Sequence, residues 1–295
     1  MTPTATDRTE SSADDADDAT DVAEATAATP ETPRSRGWVV LGLTPVLLVG
    51  LALALYLYVS NADKGFREES ALDWSTKLWP QLTTHISLSL WSTVIVLAIA
   101  VPLGVLLTRP SFRKVKGEVG KISLPWPGNA ILENVSPTFL TIANIGQALP
   151  AYGLFILFFA WMGTGFRTSV VALVVFALLP VLRNTMVGIE QVDPAVLEAG
   201  RGMGMSKFQV LTRIELPLSV PIILAGVRTA LVINIGMAAL AFLIGGGGLG
   251  ITINSGLKLS RDLITITGAG MVAILALTID WIAAVVERVL RPKGL

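Results

Sequence analysis

The sequence predicts an all-α integral membrane protein with about six transmembrane helices and both termini in the cytoplasm. Three observations carry that expectation. The chain is too apolar for water: 52% of its 295 residues are hydrophobic and 15% are charged, against roughly a quarter charged in soluble domains, and the mean hydropathy is +0.66. Its apolar residues gather in runs of the length that crosses a bilayer, about 20 residues. Its Lys and Arg gather in alternate loops, the pattern of cytoplasmic segments. Membrane-spanning strands would alternate over segments of about ten residues, and no such alternation is present.

The zero formal net charge conceals a split. Residues 1–36 read as a disordered acidic cytoplasmic tail and 37–295 as the membrane domain. Residues 1–33 hold nine acids, from Asp7 to Glu31, against the single base Arg8. With Pro3, Pro30 and Pro33 and no aromatic residue, this stretch cannot bury enough apolar surface to offset its ordering entropy. It also lacks the basic start and immediate apolar run of a signal peptide.

The first span is read at 38–59, which contains no charge, and the second at about 86–107. The third is at about 138–162, and the fourth at about 168–189 with Arg183 near its end. The fifth is at about 218–244 and the sixth at about 264–286. With the N-terminus inside, the inner segments hold thirteen Lys and Arg and the outer loops six. The most basic inner loop is 109–137, with Arg109, Arg113, Lys114, Lys116 and Lys121.

Composition also limits the chemistry. Without cysteine there is no disulfide, thiolate nucleophile or Cys-ligated metal, and one histidine, His85, argues against a His-rich metal site or a Ser–His hydrolase. His85 opens the second span and is expected at the outer surface. The run Gly245–Gly248 lies outside and lacks the Lys-Ser/Thr of a phosphate-binding loop. No catalytic residue, metal or cofactor is therefore expected in the chain itself.

Within the spans, Pro102, Pro150 and Pro180 each remove a backbone hydrogen bond and are expected to interrupt helices, a feature tolerated where a cavity is lined. Pro150 falls mid-span beside Asn144 and Gln147. These three, with Asn184 and Asn234, are candidates to line a translocation path, or else to pack the bundle through interhelical hydrogen bonds. Intramembrane charges seldom stand alone. Arg183, Arg228 and Asp280 lie near the cytoplasmic ends of spans four, five and six, so Asp280 is expected to pair with one of the two arginines.

The cytoplasmic loop 193–217 is the most informative segment. Asp193-Pro194 reads as a capping carboxylate followed by proline at the first helical position. Gly200, Gly202 and Gly204 weaken and end that helix. Ser206 with Gln209 is a capping-box start for a second, which Pro217 is expected to end. Leu197, Met203, Phe208, Leu211 and Ile214 offer apolar contact. On shape alone this is equally a connector lying on the membrane surface.

The order of residues goes further. Glu198-Ala199, a glycine six positions after the glutamate (Gly204), Ile214 ten further on, then Leu216-Pro217 closely resembles the EAA loop of bacterial ABC importer permeases. One departure is Gly200, which stands where that pattern has its second alanine. Asn144-Ile-Gly-Gln147-Ala-Leu-Pro150, Leu179-Pro-Val-Leu-Arg-Asn-Thr185, Leu224-Ala-Gly-Val-Arg-Thr229, Gly245-Gly-Gly-Gly-Leu-Gly250 and Ile279-Asp-Trp281 resemble the osmoprotectant branch, which imports glycine betaine, choline, carnitine or proline betaine. The similarity covers residues 140 to 295; the acidic tail and the length of 109–137 fall outside it.

The resemblance implies a type I ABC importer permease fold in a prokaryotic plasma membrane. It implies that Glu198, Ala199, Gly204, Ile214, Leu216 and Pro217 form coupling helices that dock in a cleft of a cytoplasmic ATPase subunit. That subunit would bind ATP-Mg and hydrolyse it. A second permease copy or paralogue and a separate extracytoplasmic substrate-binding protein complete the implied assembly, with cargo recognition largely in the binding protein's aromatic cage. The same class with another cargo, such as ergothioneine or an amino acid, is one alternative. A self-contained secondary carrier is the other, though no internal inverted repeat is visible.

Overall fold

The computed structural model describes residues 36–109 and 149–290, with side chains from Gly42 onward. The acidic tail, the segment 110–148 with Asn144 and Gln147, and residues 291–295 lie outside the described residues. The chain divides into Met1–Gly42 and Leu43–Leu295, and the packing below is that of the second unit. Every regular element among the described residues is helical, as a bilayer requires of backbone that must satisfy its own hydrogen bonds.

Helix α1 is Arg36–Ser60, and its apolar side chains from Val46 to Tyr58 are largely exposed. Asn61 N–H donates to Leu57 O and closes it. A short outer helix, α2 (Phe66–Ala71), places Glu68 under the chain, where Arg261 meets it at 3.1 Å.

The second span starts earlier than expected. Asp73 caps a wide turn at Trp74–Leu78, accepting from Thr76 N–H at 2.7 Å. The turn runs straight into α3, Trp79–Leu107, with Pro80 in its first turn. His85 is therefore inside a helix rather than at the surface. It is fully buried, which corrects the surface assignment.

Helix α4 is Ala151–Met162. Pro150 is its N-terminal cap, with φ −54° and ψ 130°, and does not stand mid-span: a residue with fixed φ and no N–H begins a helix at no loss. Twelve residues rise only roughly 18 Å, too short to cross by itself. The rest of the expected third span lies outside the described residues.

Helix α5 (Phe166–Glu190) forms the core with α3 and with α8 (Leu216–Ala238). Their contact uses small residues. A Cβ added at Gly104 would lie 2.7 Å from Thr185, and one at Gly226 would lie 2.6 Å from Asn184. Close backbone approach of this kind is what holds apolar helices together in lipid. Between them lie Leu88, Val96 and Ala100 of α3, Leu173, Val181 and Leu182 of α5, and Ala230 of α8, all buried. Pro102 and Pro180 do not break their helices, which continue through both; neighbouring helices hold each turn in place.

The fifth span ends at Ala238 and not at 244. A 3-10 turn follows at Ala241–Ile244, and Gly245, Gly247 and Gly248 take φ of 73°, 86° and 88°. That left-handed region is open to glycine at little penalty. The run folds back on the core so closely that a Cβ at Gly246 would meet Ser169 Oγ at 2.0 Å. It leads into α9 (Gly250–Leu259) and, after Ser260 with φ 51°, into α10 (Asp262–Leu290).

Helix α3 also caps α9. The His85 Nδ1 accepts from Leu249 N–H at 3.3 Å, so the ring proton sits on Nε2, which donates to Ile235 O at 2.9 Å. One turn earlier, Gln81 Oε1 accepts from Thr252 N–H at 3.2 Å and from its hydroxyl at 2.6 Å. Two N–H groups that a helix start leaves unpaired are thus satisfied from a neighbouring helix.

Candidate functional site

The loop between α5 and α8 folds as two capped helices joined by a glycine turn. Asp193 Oδ1 accepts from Ala195 N–H at 2.8 Å and Pro194 opens α6, Pro194–Gly202. The helix ends in a Schellman arrangement: Met205 N–H donates to Gly200 O at 3.2 Å and Gly204 N–H to Arg201 O at 2.9 Å. This requires a left-handed residue just past the cap, and Gly204 supplies it with φ +82°. Gly200 and Gly202 are within α6, so Gly204 alone ends it. The expected capping box is formed: Gln209 N–H donates to Ser206 Oγ at 3.3 Å and Ser206 N–H to Gln209 Oε1 at 2.8 Å. Helix α7 is Lys207–Val210.

Pro217 does not end this second helix. A π turn at Leu211–Glu215 carries α7 directly into α8, giving one helical run over Lys207–Ala238. The widened turn separates the proline ring from the carbonyl four residues earlier, which is where a regular helix would clash.

The six residues picked out in the sequence divide by direction. Glu198, Ala199 and Gly204 are exposed, whereas Ile214, Leu216 and Pro217 are half-buried against the chain itself. Gly204 has open space around the position of a Cβ. Met203 and Phe208, on either side of it, are each 72% exposed, while Leu197 and Leu211 turn inward. Gly200, the departure from the pattern, has a steric reason: a Cβ there would lie 2.5 Å from Ile214 Cδ1. Its absence lets α6 rest on the π turn. The loop therefore presents an apolar, doubly capped knob outward and a packed base inward.

Sequence reasoning missed what holds that base. Glu215, the last residue of the π turn, is 5% exposed, and Arg109 at the end of α3 grips both its oxygens, at 2.6 and 3.3 Å. An acid placed between apolar Ile214 and Leu216 is the signal that could have pointed to a buried partner.

Deeper in the membrane, Arg228 of α8 holds Asp280 of α10 by two bonds, at 2.5 and 2.7 Å, with Glu287 at 4.0 Å. This is one of the two pairings expected; Arg183 lies exposed on α5. Asn234 is fully buried, its amide donating to Thr93 at 3.0 Å across the α3–α8 contact. Asn184 donates to Pro180 O at 2.8 Å and packs on Gly226. Among the described residues no cluster of His, Asp or Glu could hold a metal ion.

Residues 133–292 match the family described as binding-protein-dependent transport system inner membrane component. The chain belongs to this family. It is 39% identical over 211 residues to the choline transport system permease protein OpuBB of Bacillus subtilis, covering 72% of this chain and 87% of that protein. It is 40% identical, over the same shares, to the glycine betaine/carnitine/choline transport system permease protein OpuCB of the same organism. It is 36% identical to the osmoprotectant import permease protein OsmW of Salmonella typhimurium, over 72% of this chain and 90% of that one. The fold is that of the MetNI methionine ABC transporter in an inward-facing form, with TM-score 0.59 at 22% identity, over 73% of this chain and 96% of the other.

Proposed function

We propose that the chain is the membrane-spanning subunit of an ATP-driven importer for a small quaternary-ammonium osmoprotectant such as glycine betaine, choline, carnitine or proline betaine. The observation that carries this reading is the identity of 39–40% over 211 residues to permeases named for choline, glycine betaine and carnitine. The doubly capped loop around Gly204 supports the ATP-driven part. Two permease chains, identical or paralogous, frame the path; a binding protein delivers the solute from outside; cytoplasmic ATPase subunits bind ATP-Mg and hydrolyse it. This chain contributes no catalytic group.

In that assembly Glu198 and Ala199 of α6 and the turn at Gly204 enter a cleft of the ATPase, and exposed Met203 and Phe208 supply the apolar contact. Ile214, Leu216 and Pro217 seat the knob on α8. Asn144, Gln147 and Pro150 are assigned to the translocation path; the buried amide of Asn234 and the helix-bound amide of Asn184 are assigned to packing.

The test is uptake of radiolabelled choline, glycine betaine and carnitine into vesicles holding the reconstituted complex. Uptake should require ATP on the side of the loop and the binding protein on the other. Uptake driven by an ion gradient without ATP would instead establish a self-contained carrier, and ATP-driven uptake of another solute alone would overturn the cargo.

A further inference from the structure

We propose that Arg109 and Glu215 form a strut that passes movement of the coupling loop to the second spanning helix, so that α3 and α8 answer the ATPase together. The inference builds on the coupling reading of loop 193–217 and adds to it a positioning pair.

The geometry is that of a fixed link. The Glu215 carboxylate is gripped at both oxygens, 2.6 and 3.3 Å from the guanidinium nitrogens, a two-point contact that holds orientation as well as distance. The guanidinium is fixed in turn: its Nε donates to Val105 O at 3.2 Å, while the Arg109 backbone N–H donates to Leu106 O at 3.1 Å. The Arg109 side chain is 30% exposed and that of Glu215 7%.

Both ends are anchored in larger bodies. On one side, α6 rests on Ile214 with no room for a Cβ at Gly200, and Ile214 adjoins Glu215. On the other, Leu107 is buried and Gly104 sits against Thr185 of α5, so the end of α3 is part of the core. Between loop and span lies the π turn Leu211–Glu215; such turns inside helices recur at functional sites. A loop that swung on this turn alone would reach α3 only through its packing on α5 and α8. The strut adds a direct link at the inner end of α3.

Stability is a poor reason to keep such a pair. Replacing a buried ion pair by apolar residues of similar size is often neutral, because desolvation offsets the attraction. Fixed relative position is what the fork supplies and a pair of methyl groups does not.

The test uses the complete reconstituted transporter with ATPase and binding protein. In Arg109→Met with Glu215→Leu, insertion, ATPase association and unstimulated hydrolysis should persist. Stimulation by solute-loaded binding protein should fall about tenfold, within the range usual for coupling between two sites. The reversed pair, Arg109→Glu with Glu215→Arg, should recover part of that stimulation, which a role in packing alone would not produce. Should the apolar pair fail to insert, Arg109→Lys, which keeps the charge and loses the fork, carries the same expectation. Full stimulation in the apolar pair, or in Arg109→Lys where that variant replaces it, overturns the strut. Gly204→Asp measured in parallel separates the two ideas: if it abolishes stimulation while the strut variants keep it, the coupling loop stands and the strut falls; if it too keeps stimulation, the coupling reading falls.

Discussion

Gly204 offers the sharpest test of the coupling loop, because the structure separates the two ways a side chain there could do harm. Among the described residues, none beyond its chain neighbours lies within 4 Å of a Cβ at this position, so a substitution meets no clash with them. The backbone does object: φ is +82°, and a residue other than glycine pays about 1–2 kcal/mol for a left-handed conformation. That strain lowers the ratio of the Schellman turn to its open forms by a factor of about 5–30. Gly204→Ala should therefore reduce binding-protein-stimulated ATP hydrolysis by at most about that factor. Asparagine visits the left-handed region more readily, so strain alone would rank Gly204→Asn above Gly204→Ala. Docking adds a second effect. If the turn enters a cleft between exposed Met203 and Phe208, a carboxylate there is buried without a partner, an outcome far more costly than strain, and Gly204→Asp should fall to the unstimulated rate. The assay is hydrolysis in reconstituted membranes with and without loaded binding protein, with insertion checked in parallel. Stimulation in Gly204→Asp at or above that of Gly204→Ala would refute the docking argument.

Three further outcomes are expected. Asp280→Asn leaves the Arg228 guanidinium without its two-point partner and should destabilise the detergent-solubilised protein by about 1–3 kcal/mol, below the figure for a fully buried pair because both side chains are partly exposed; adding Arg228→Gln should restore part of the melting temperature. His85→Ala strands Leu249 N–H and Ile235 O in a buried site and should cost about 2–4 kcal/mol, with His85→Gln recovering some of it; an unchanged melting temperature would show the cap to be dispensable. A cysteine at exposed Ser206 should react with a membrane-impermeant thiol reagent only in inverted vesicles, and one at exposed Leu257 only in intact cells; the reverse pattern would overturn the assigned orientation.

The parts of this fold legible in the sequence were those governed by local rules. Asp193-Pro194 and Ser206 with Gln209 announced two helix starts, and both caps are formed as written, because a cap is a contact between residues two or three apart. Hydropathy located the long helices for the same reason. Boundaries failed where a neighbour decided them. The expected start of the second span falls seven residues after Trp79, where α3 begins, because the wide turn at Trp74–Leu78 breaks the simple period, and the surface placement of His85 fails with it. The end of α8 at Ala238 is not marked by hydropathy, because the apolar run continues through Ala239–Ile244, where the chain turns into a 3-10 helix. Proline was over-read: Pro102, Pro180 and Pro217 all continue helices that tertiary packing or a π turn sustains. The Arg109–Glu215 grip joins residues 106 apart, and no local pattern encodes a contact of that separation.

One helix connects the two regions where tertiary contacts overruled local rules. At its outer end α3 reaches through Gln81 and His85 to the start of α9 and to the last turn of α8; just beyond its inner end, Arg109 holds the π turn that begins α8. Its 29 residues rise roughly 43 Å. Pro102 leaves it unbroken, and its middle is locked by Leu88, Val96 and Ala100 against α5 and α8. A helix packed in this way transmits displacement more readily than it absorbs it, since a close-packed core has discrete arrangements and little compliance. The irregular points are outside it: the π turn Leu211–Glu215 below and the glycine run Gly245–Gly248 above. On the proposed coupling reading, a movement imposed at Glu198 reaches the outer glycine run through α8 by way of Ile235 and, with the strut in place, directly through α3 by way of Glu215, Arg109 and His85. Without the strut, α3 follows α8 only through the packed core.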